Sequence, residues 1–316
     1  MNLRRRDFLL LVALAAAATT PAWGQTAAPA GEPARSATQS AASIPDFSGM
    51  WAHPGLGFEN PISGPGPVRN LSRTPSGASN FNLLVGDSTN PILKPHAAEI
   101  VKKRGEISLS GLVFPDPDNQ CLLQPVPYIL WNFEIQLLQQ PDKVTILYPH
   151  DQDYRQVRLN QPHPAKVVPT AHGDSVGHYE GDTLVIDTVG IKVGPYTMID
   201  RFGTPYTQAL HVVERYRLMD YEAAKEAQAR GQKEWPLVGA YGVDPSYRGK
   251  GLQLEFTVED DGVFTMPWSA TITYLRAGHA DWQERACAEN VAHYYAGPQY
   301  YSDKDARIPT ADKPDF

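Results

Sequence analysis

Cysteine is scarce in this sequence: 316 residues contain two, Cys121 and Cys287. Their wide separation excludes haem-attachment and cluster-type cysteine motifs. In an oxidising compartment two cysteines most often pair, and this bridge would constrain the unfolded chain by about 4–5 kcal/mol in the loop-entropy model. We therefore expect a Cys121–Cys287 disulfide. Two buried free thiols are the alternative, since free cysteine is commonly a core residue.

Long apolar runs are also absent. The run over residues 8–18 is shorter than the about 20 residues that a membrane helix needs. The run opens with Phe8-Leu9 and is preceded by three arginines at positions 4–6 and one aspartate. This arrangement resembles a twin-arginine (Tat) export signal. A small-x-small cleavage site ends at Gly24. We predict a signal peptide over residues 1–24, Tat translocase as the partner in export, a periplasmic or secreted protein, and no membrane span in the mature chain; a retained N-terminal anchor is the alternative.

Basic residues are outnumbered, with 28 Lys and Arg against 35 Asp and Glu. Removing residues 1–24 takes away three arginines and one aspartate, which moves the formal net charge from −7 to −9. Nucleic-acid binding needs clustered cations, so this composition argues against it. The longest basic cluster, residues 102–104, is best interpreted as the last turn of a helix, where cations suit the helix dipole.

The order of predicted elements indicates a mainly β protein. Residues 25–45 lack large apolar groups and predict a disordered linker, followed by a single β-rich domain over residues 46–316. Residues 93–106 and the alanine-rich residues 221–233 predict two helices, and residues 116–119 predict a turn. Without a βαβ rhythm or a fixed repeat, the strands predict an antiparallel barrel or sandwich with one or two short helices. The main strand candidates are Tyr128–Leu138, Val144–Tyr148, Gln156–Leu159, Thr183–Thr188, Leu210–Leu218, Leu252–Val258 and Val263–Leu275.

Residues 170–188 carry the densest concentration of polar chemistry. Residues 180–182, Glu-Gly-Asp, predict a hairpin turn, with Ser175 and Tyr179 on one face of the first strand and His178 on the other. Residues 173–177 match Gly-x-Ser-x-Gly, but a strand-like run follows Ser175 where a nucleophile elbow needs a helix. We therefore do not expect a serine hydrolase of that fold.

A metal site is a weaker option in the same region. The available ligands are His172, Asp174, His178 and His211. Imidazole and carboxylate are suitable ligands, but this spacing matches no metal motif with a known mechanism. We expect no organic cofactor, with a metal on His172, His178 and His211 as the lesser alternative.

The strand over residues 210–218 mixes apolar and ionisable groups on each face. If Val212 points into the barrel, Glu214 and Tyr216 line the interior too. A carboxyl group in an apolar cavity has a raised pKa, which suits proton transfer near neutral pH. The alternative is a salt bridge from Glu214 to Arg217 or Arg201, since buried carboxylates are normally paired. Glu134, between polar neighbours at positions 132 and 136, poses the same question.

Two resemblances rest on these motifs. Residues 47–51, Phe-Ser-Gly-Met-Trp, are similar to the Gly-x-Trp opening strand of lipocalin-like (calycin) barrels. Residues 173–188 with residues 210–215 resemble a large group of exported, mostly uncharacterised bacterial β-rich proteins, over most of residues 46–290. The lipocalin comparison implies a cavity for an apolar small molecule. The second resemblance implies no catalytic set.

These observations favour an enzyme without an organic cofactor that performs acid–base chemistry on an apolar or aromatic small molecule in the barrel mouth. It would be a lyase, isomerase, hydratase or hydrolase. One alternative is a lipocalin-like carrier with a deep aromatic cavity. The other is an envelope interaction protein that uses residues 54–80 and the tyrosine-rich tail as a contact surface. For the enzyme, the proton carriers would be His172, Asp174 and His211, the base or pKa-tuning residue Glu214, and the anion stabiliser Arg201 or Tyr179.

Overall fold

The computed structural model describes residues 44–53, 55, 57–149, 152–236 and 242–278. Contacts divide the chain into two units, and every described residue belongs to the second, Ala41–Phe316. Within it, nine strands form a closed barrel in chain order. The strands are β1 (Gly49–Ala52), β2 (Glu134–Gln139), β3 (Lys143–Tyr148), β4 (Asp153–Leu159), β5 (Asp174–Glu180), β6 (Thr183–Val189), β7 (His211–Met219), β8 (Gly251–Glu259) and β9 (Trp268–Arg276).

The barrel confirms the predicted mainly β fold, with one departure from antiparallel pairing. A ring of nine strands cannot alternate direction all the way round, because the number is odd. One neighbouring pair must run parallel, and that pair is β4 and β5, with Val157 opposite Ser175. Parallel neighbours need a crossover rather than a tight turn. Residues 160–173 provide it as an irregular segment.

Alternation along the strands builds the core. On β4, the side chains of Asp153, Arg155, Val157 and Leu159 are buried, whereas the residues between them are exposed or half-buried. The inward-facing apolar side chains of the other eight strands belong to one continuous cluster, against which Tyr179 of β5 packs. The hairpin predicted at residues 180–182 is confirmed, since β5 pairs antiparallel with β6 from Glu180 opposite Thr183 onward.

Two predicted strands begin later than expected. The first four residues of Tyr128–Leu138 form a short 3-10 helix, because Pro125 and Pro127 have no N–H for a strand ladder. At the other site, the backbone N–H groups of Val263 and Phe264 donate to the carbonyl of Asp260, at 3.0 and 2.8 Å. These bonds close a turn and delay β9 until Trp268.

Two helices lie in the connections between strands. Helix α1 (Pro95–Leu109) begins with proline in its first turn and buries Ala97, Val101 and Gly105. Helix α2 (Tyr221–Glu234) packs on β8 and β9. None of the helices in the described part of the chain is long and apolar enough to cross a membrane.

Several predictions fall on residues that the structure does not describe. The signal peptide over residues 1–24 lies outside the described residues, as do nearly all of the linker, Cys287 and the tyrosine-rich tail. The predicted Cys121–Cys287 disulfide therefore stays a prediction.

Candidate functional site

Glu214 faces the barrel interior, as the pattern of β7 predicts. Its carboxylate accepts two hydrogen bonds from Arg155 of β4, at 2.5 and 2.7 Å, and one from the hydroxyl of Tyr216 at 2.9 Å. Burial alone lowers the pKa of Arg155, but Glu214 holds it well above its usual value. The expected partners were wrong: Arg217 points outward and bonds Gln253. Because Glu214 is fully engaged, it is not a free base.

Asp174 and His211 lie on a row of charges outside the barrel. The row continues through two residues that the sequence did not single out, His163 of the crossover segment and Asp187 of β6. His163 contacts Asp174 at 2.6 Å and Asp187 at 3.2 Å, and His211 contacts Asp187 at 3.0 Å. Arg158 and Glu259 close the two ends of the row.

The charges in this row stabilise one another. Hydrogen bonds from Arg158 and then His163 lower the pKa of Asp174, and the bond to Asp187 raises the pKa of His211. Each histidine thus has two acidic neighbours, and each acid has a cationic or imidazole donor. Since His211 and Glu214 occupy opposite faces of β7, the predicted site that combined them does not form.

The other predicted residues are dispersed. His172 lies 3.4 Å from Asp153. His178 pairs with Glu180 at 3.0 Å on the exposed face of β5. The hydroxyl of Tyr179 accepts a hydrogen bond from Gln139 at 2.9 Å, and partial burial raises its pKa. His172, His178 and His211 have different partners, and no cluster of three or more His, Cys, Asp or Glu able to hold a metal ion occurs in the described ranges.

Arg201, one of the predicted residues, lines a cavity. The cavity has a volume of about 350 Å³, which is within the range of small-molecule sites. Its walls come from the β1–β2 connection, including α1, and from the β6–β7 connection. The lining residues are Phe81, Asn82, Leu84, Arg104, Ser108, Leu112, Val113, Phe114, Asp116, Asp118, Asn119, Met198 and Arg201. We call it the arginine cavity.

Two carboxylates meet Arg201 in this cavity, in different environments. The guanidinium donates to Asp118 at 2.8 Å. Among the residues that the structure describes, Asp116 makes no such pair. Burial raises its pKa to about 6, with Arg201 opposing the shift and Asp118 adding to it. The Tyr128 hydroxyl faces Asp116, although it makes no hydrogen bond of normal geometry among the described residues. Burial raises the pKa of Tyr128 well above 10, so this phenol stays protonated.

Turn geometry holds the Asp116 carboxylate in place. Asp116 accepts the backbone N–H of Asn119 at 2.7 Å, and the Asn119 side chain accepts the backbone N–H of Asp116 at 2.9 Å. The sequence predicts this turn, but residue types alone did not show that it faces Arg201, which is distant in the chain. The sequence feature that could have indicated a site at this turn is the short spacing of Asp116 and Asp118, with two aromatic residues nearby.

A second cavity of about 350 Å³ lies beside Phe202, the neighbour of Arg201. Four rings line it, Phe58, Trp131, Phe202 and Trp235, with centroids of contacting pairs 5.4–6.5 Å apart. Its lining also includes Glu59, whose pKa burial raises, with Arg230 opposing the shift. We call it the aromatic cavity.

Comparison with known proteins adds no family. No protein-family model, curated protein or solved structure matches the chain.

Proposed function

We propose that this protein is an enzyme without an organic cofactor that performs acid–base chemistry on an apolar or aromatic small molecule in the arginine cavity. The observation that carries the proposal is the pair Asp116 and Asp118, which share one cavity with Arg201 but differ in their partners. When their environments push the pKa values of two carboxylates apart, one can transfer a proton while the other stays paired with a cation. The reaction would be an elimination, hydration, isomerisation or hydrolysis.

The residues divide the work of a proton transfer. Above about pH 6, Asp116 is a carboxylate and can remove a proton from a substrate carbon next to an electron-withdrawing group. The electron pair moves onto the substrate oxygen, where Arg201 stabilises the negative charge. Asp118 orients Arg201, and the neutral Tyr128 hydroxyl lies next to Asp116. Returning the proton from Asp116 to another substrate atom completes an isomerisation.

Deuterium exchange tests this chemistry before a substrate is known. A panel of aromatic and apolar carbonyl compounds with acidic C–H bonds is incubated in D₂O and followed by proton NMR. We expect the wild type to exchange a C–H proton of at least one compound, and Asp116→Asn to slow that exchange by about 100-fold or more, the usual contribution of a general base. The wild-type rate should rise as the pH passes through about 6.

Glu59→Gln is the matched control, since Glu59 is a partly buried acid with a raised pKa in the aromatic cavity. It should exchange at the wild-type rate. Exchange that is absent from the whole panel, or that Glu59→Gln abolishes as fully as Asp116→Asn, would overturn the proposal.

A carrier of an apolar ligand is the second candidate, and the aromatic cavity favours it. Trp131 there is in ring contact with Phe58, Phe202 and Trp235, and aromatic walls suit apolar ligands. A carrier would retain a ligand through purification and show no exchange. Mass spectrometry of the denatured protein would detect that ligand.

Export by the Tat translocase and the Cys121–Cys287 disulfide belong to the same proposal. The twin arginine and the cleavage site at Gly24 support the route, and an oxidising compartment supports the bridge. The intact mass of protein recovered from the periplasm reports both features. We expect cleavage after Gly24 and the loss of two hydrogens; a mass that retains residues 1–24 or both thiols would contradict them.

A further inference from the structure

Arg104 is a cation in the wall of the arginine cavity. It lies on α1 and is largely buried, and burial lowers its pKa to about 10, so it stays charged at neutral pH. Its guanidinium lies over the ring of Phe114, 4.1 Å from the centroid, and one nitrogen contacts the sulfur of Met198 at 3.2 Å. Among the described residues it forms no salt bridge.

The nearby carboxylates are already engaged. Asp118 pairs with Arg201 at 2.8 Å. Asp200 accepts the Thr204 hydroxyl at 2.6 Å and backbone N–H groups at 2.9 and 3.2 Å. Asp116 is held in its turn by Asn119. Asp200 and Asp116 oppose the lowering of the Arg104 pKa, but neither forms a salt bridge with it among the described residues. The Arg104 guanidinium is therefore available to pair directly with a negative charge that enters the cavity, which offsets the cost of burying the cation.

The guanidinium of Arg104 favours an anion of a particular shape. It lies over the ring of Phe114 and is planar, and a flat carboxylate can accept two N–H groups side by side along one edge of a guanidinium. The nearby apolar walls, formed by Leu84, Leu112 and Val113, suit a ring or a short apolar chain. Asp116 and Asp118 repel a second negative charge, which disfavours a dianion.

We propose that the arginine cavity binds a monocarboxylate with an aromatic or apolar body, and that Arg104 holds its carboxylate. This inference rests on the proposed function for the choice of cavity and names the class of its substrate. Arg104 is then the residue that determines specificity for charge, whereas Asp116 transfers the proton.

Isothermal titration of the mature chain with matched ligand pairs tests this assignment. Benzoate and 2-naphthoate are each compared with their neutral amides, which have nearly the same shape. We expect the wild type to bind at least one carboxylate about 10-fold or more tighter than its amide. Arg104→Met should weaken carboxylate binding by about 10- to 100-fold and leave amide binding unchanged.

Two further variants keep the test decisive. Arg104→Lys retains the charge without the flat edge, so its loss of carboxylate affinity should be intermediate. This variant replaces Arg104→Met in the test if Arg104→Met does not fold. Arg73→Gln removes an arginine that lines the aromatic cavity and pairs there with Glu234, and it should bind both ligands as the wild type does.

The outcomes separate this inference from the proposed function. Equal binding of carboxylate and amide, no binding of any carboxylate, or wild-type carboxylate affinity in a folded Arg104→Met would overturn the assignment of Arg104. Asp116→Asn should still bind the carboxylate while losing deuterium exchange. Charge-selective binding without any exchange in the wild type would overturn the proposed enzyme and leave the anion site standing.

Discussion

At the residue scale, the buried pair Arg155–Glu214 shows how two charged side chains can hold the barrel together. Two charged groups with side-chain exposures of 2% and 0% lie in the barrel interior. Removal from water is expensive for each of them. The pair is retained because two parallel hydrogen bonds and the Tyr216 hydroxyl satisfy the carboxylate. We infer that it fixes the register of β4 across the barrel from β7.

Breaking this pair should be much worse than replacing it. Glu214→Gln leaves the Arg155 charge buried without compensation, so we expect the free energy of unfolding in urea to fall by about 3–5 kcal/mol. The double variant Arg155→Met with Glu214→Leu should recover most of that loss, since an apolar pair of similar size needs no counter-ion. Glu180→Gln breaks the exposed pair between Glu180 of β5 and Arg215 of β7, and it should change nothing measurable. A single variant as stable as the wild type would contradict this account.

At the element scale, the strands were predictable and the site was not. Alternation placed Glu214 and Tyr216 inside the barrel, because period-two patterning is a local property of each strand. Arg155 was missed as the partner because β4 and β7 are not neighbours in sequence or in the sheet. The arginine cavity is built from the end of α1 and from irregular connections around positions 81, 112–119 and 198–201, and those connections have no periodicity. The basic cluster at residues 102–104 was interpreted as a helix end, yet α1 continues to Leu109 and places Arg104 in the cavity wall.

The docking of α2 on the barrel depends on one glycine. A Cβ atom at Gly251 of β8 would overlap the Cβ of Ala224 on α2. We therefore expect Gly251→Ala to lower the free energy of unfolding by about 1–3 kcal/mol through overpacking. Adding Ala224→Gly should restore the space at a cost of about 1 kcal/mol in helix propensity.

Gly242→Ala is the control for chain entropy, since no atom of the described residues lies within 4 Å of the added methyl group. Urea unfolding of the four proteins gives the comparison. If Gly251→Ala is as stable as Gly242→Ala, the close approach of α2 to β8 is not a constraint.

At the scale of the whole molecule, acid stability should reflect opposing buried groups. Burial lowers the pKa of His53 to about 4 and raises the pKa values of Asp116 and Asp200 to about 6. A depressed histidine pKa contributes stability above its unfolded value of about 6.5, which is lost as the pH falls toward 4. A raised aspartate pKa acts in the opposite direction, because its stability is present below about 4 and is lost as the pH rises through 6. The free energy of unfolding is therefore nearly independent of pH only if the histidine and aspartate contributions cancel.

Single variants separate the two contributions. His53→Gln keeps a donor for the Asn132 carbonyl, which His53 contacts at 2.7 Å, but it cannot take up a proton. Between pH 7 and pH 4.5, we expect the wild type to lose about 2–3 kcal/mol of stability relative to this variant. Relative to Asp200→Asn, the wild type should gain about 2 kcal/mol over the same interval. Urea unfolding at each pH measures both differences. Parallel profiles for the three proteins would mean that neither group titrates differently in the folded and unfolded chains. Profiles that diverge with opposite signs would show that burial at each site sets the acid response.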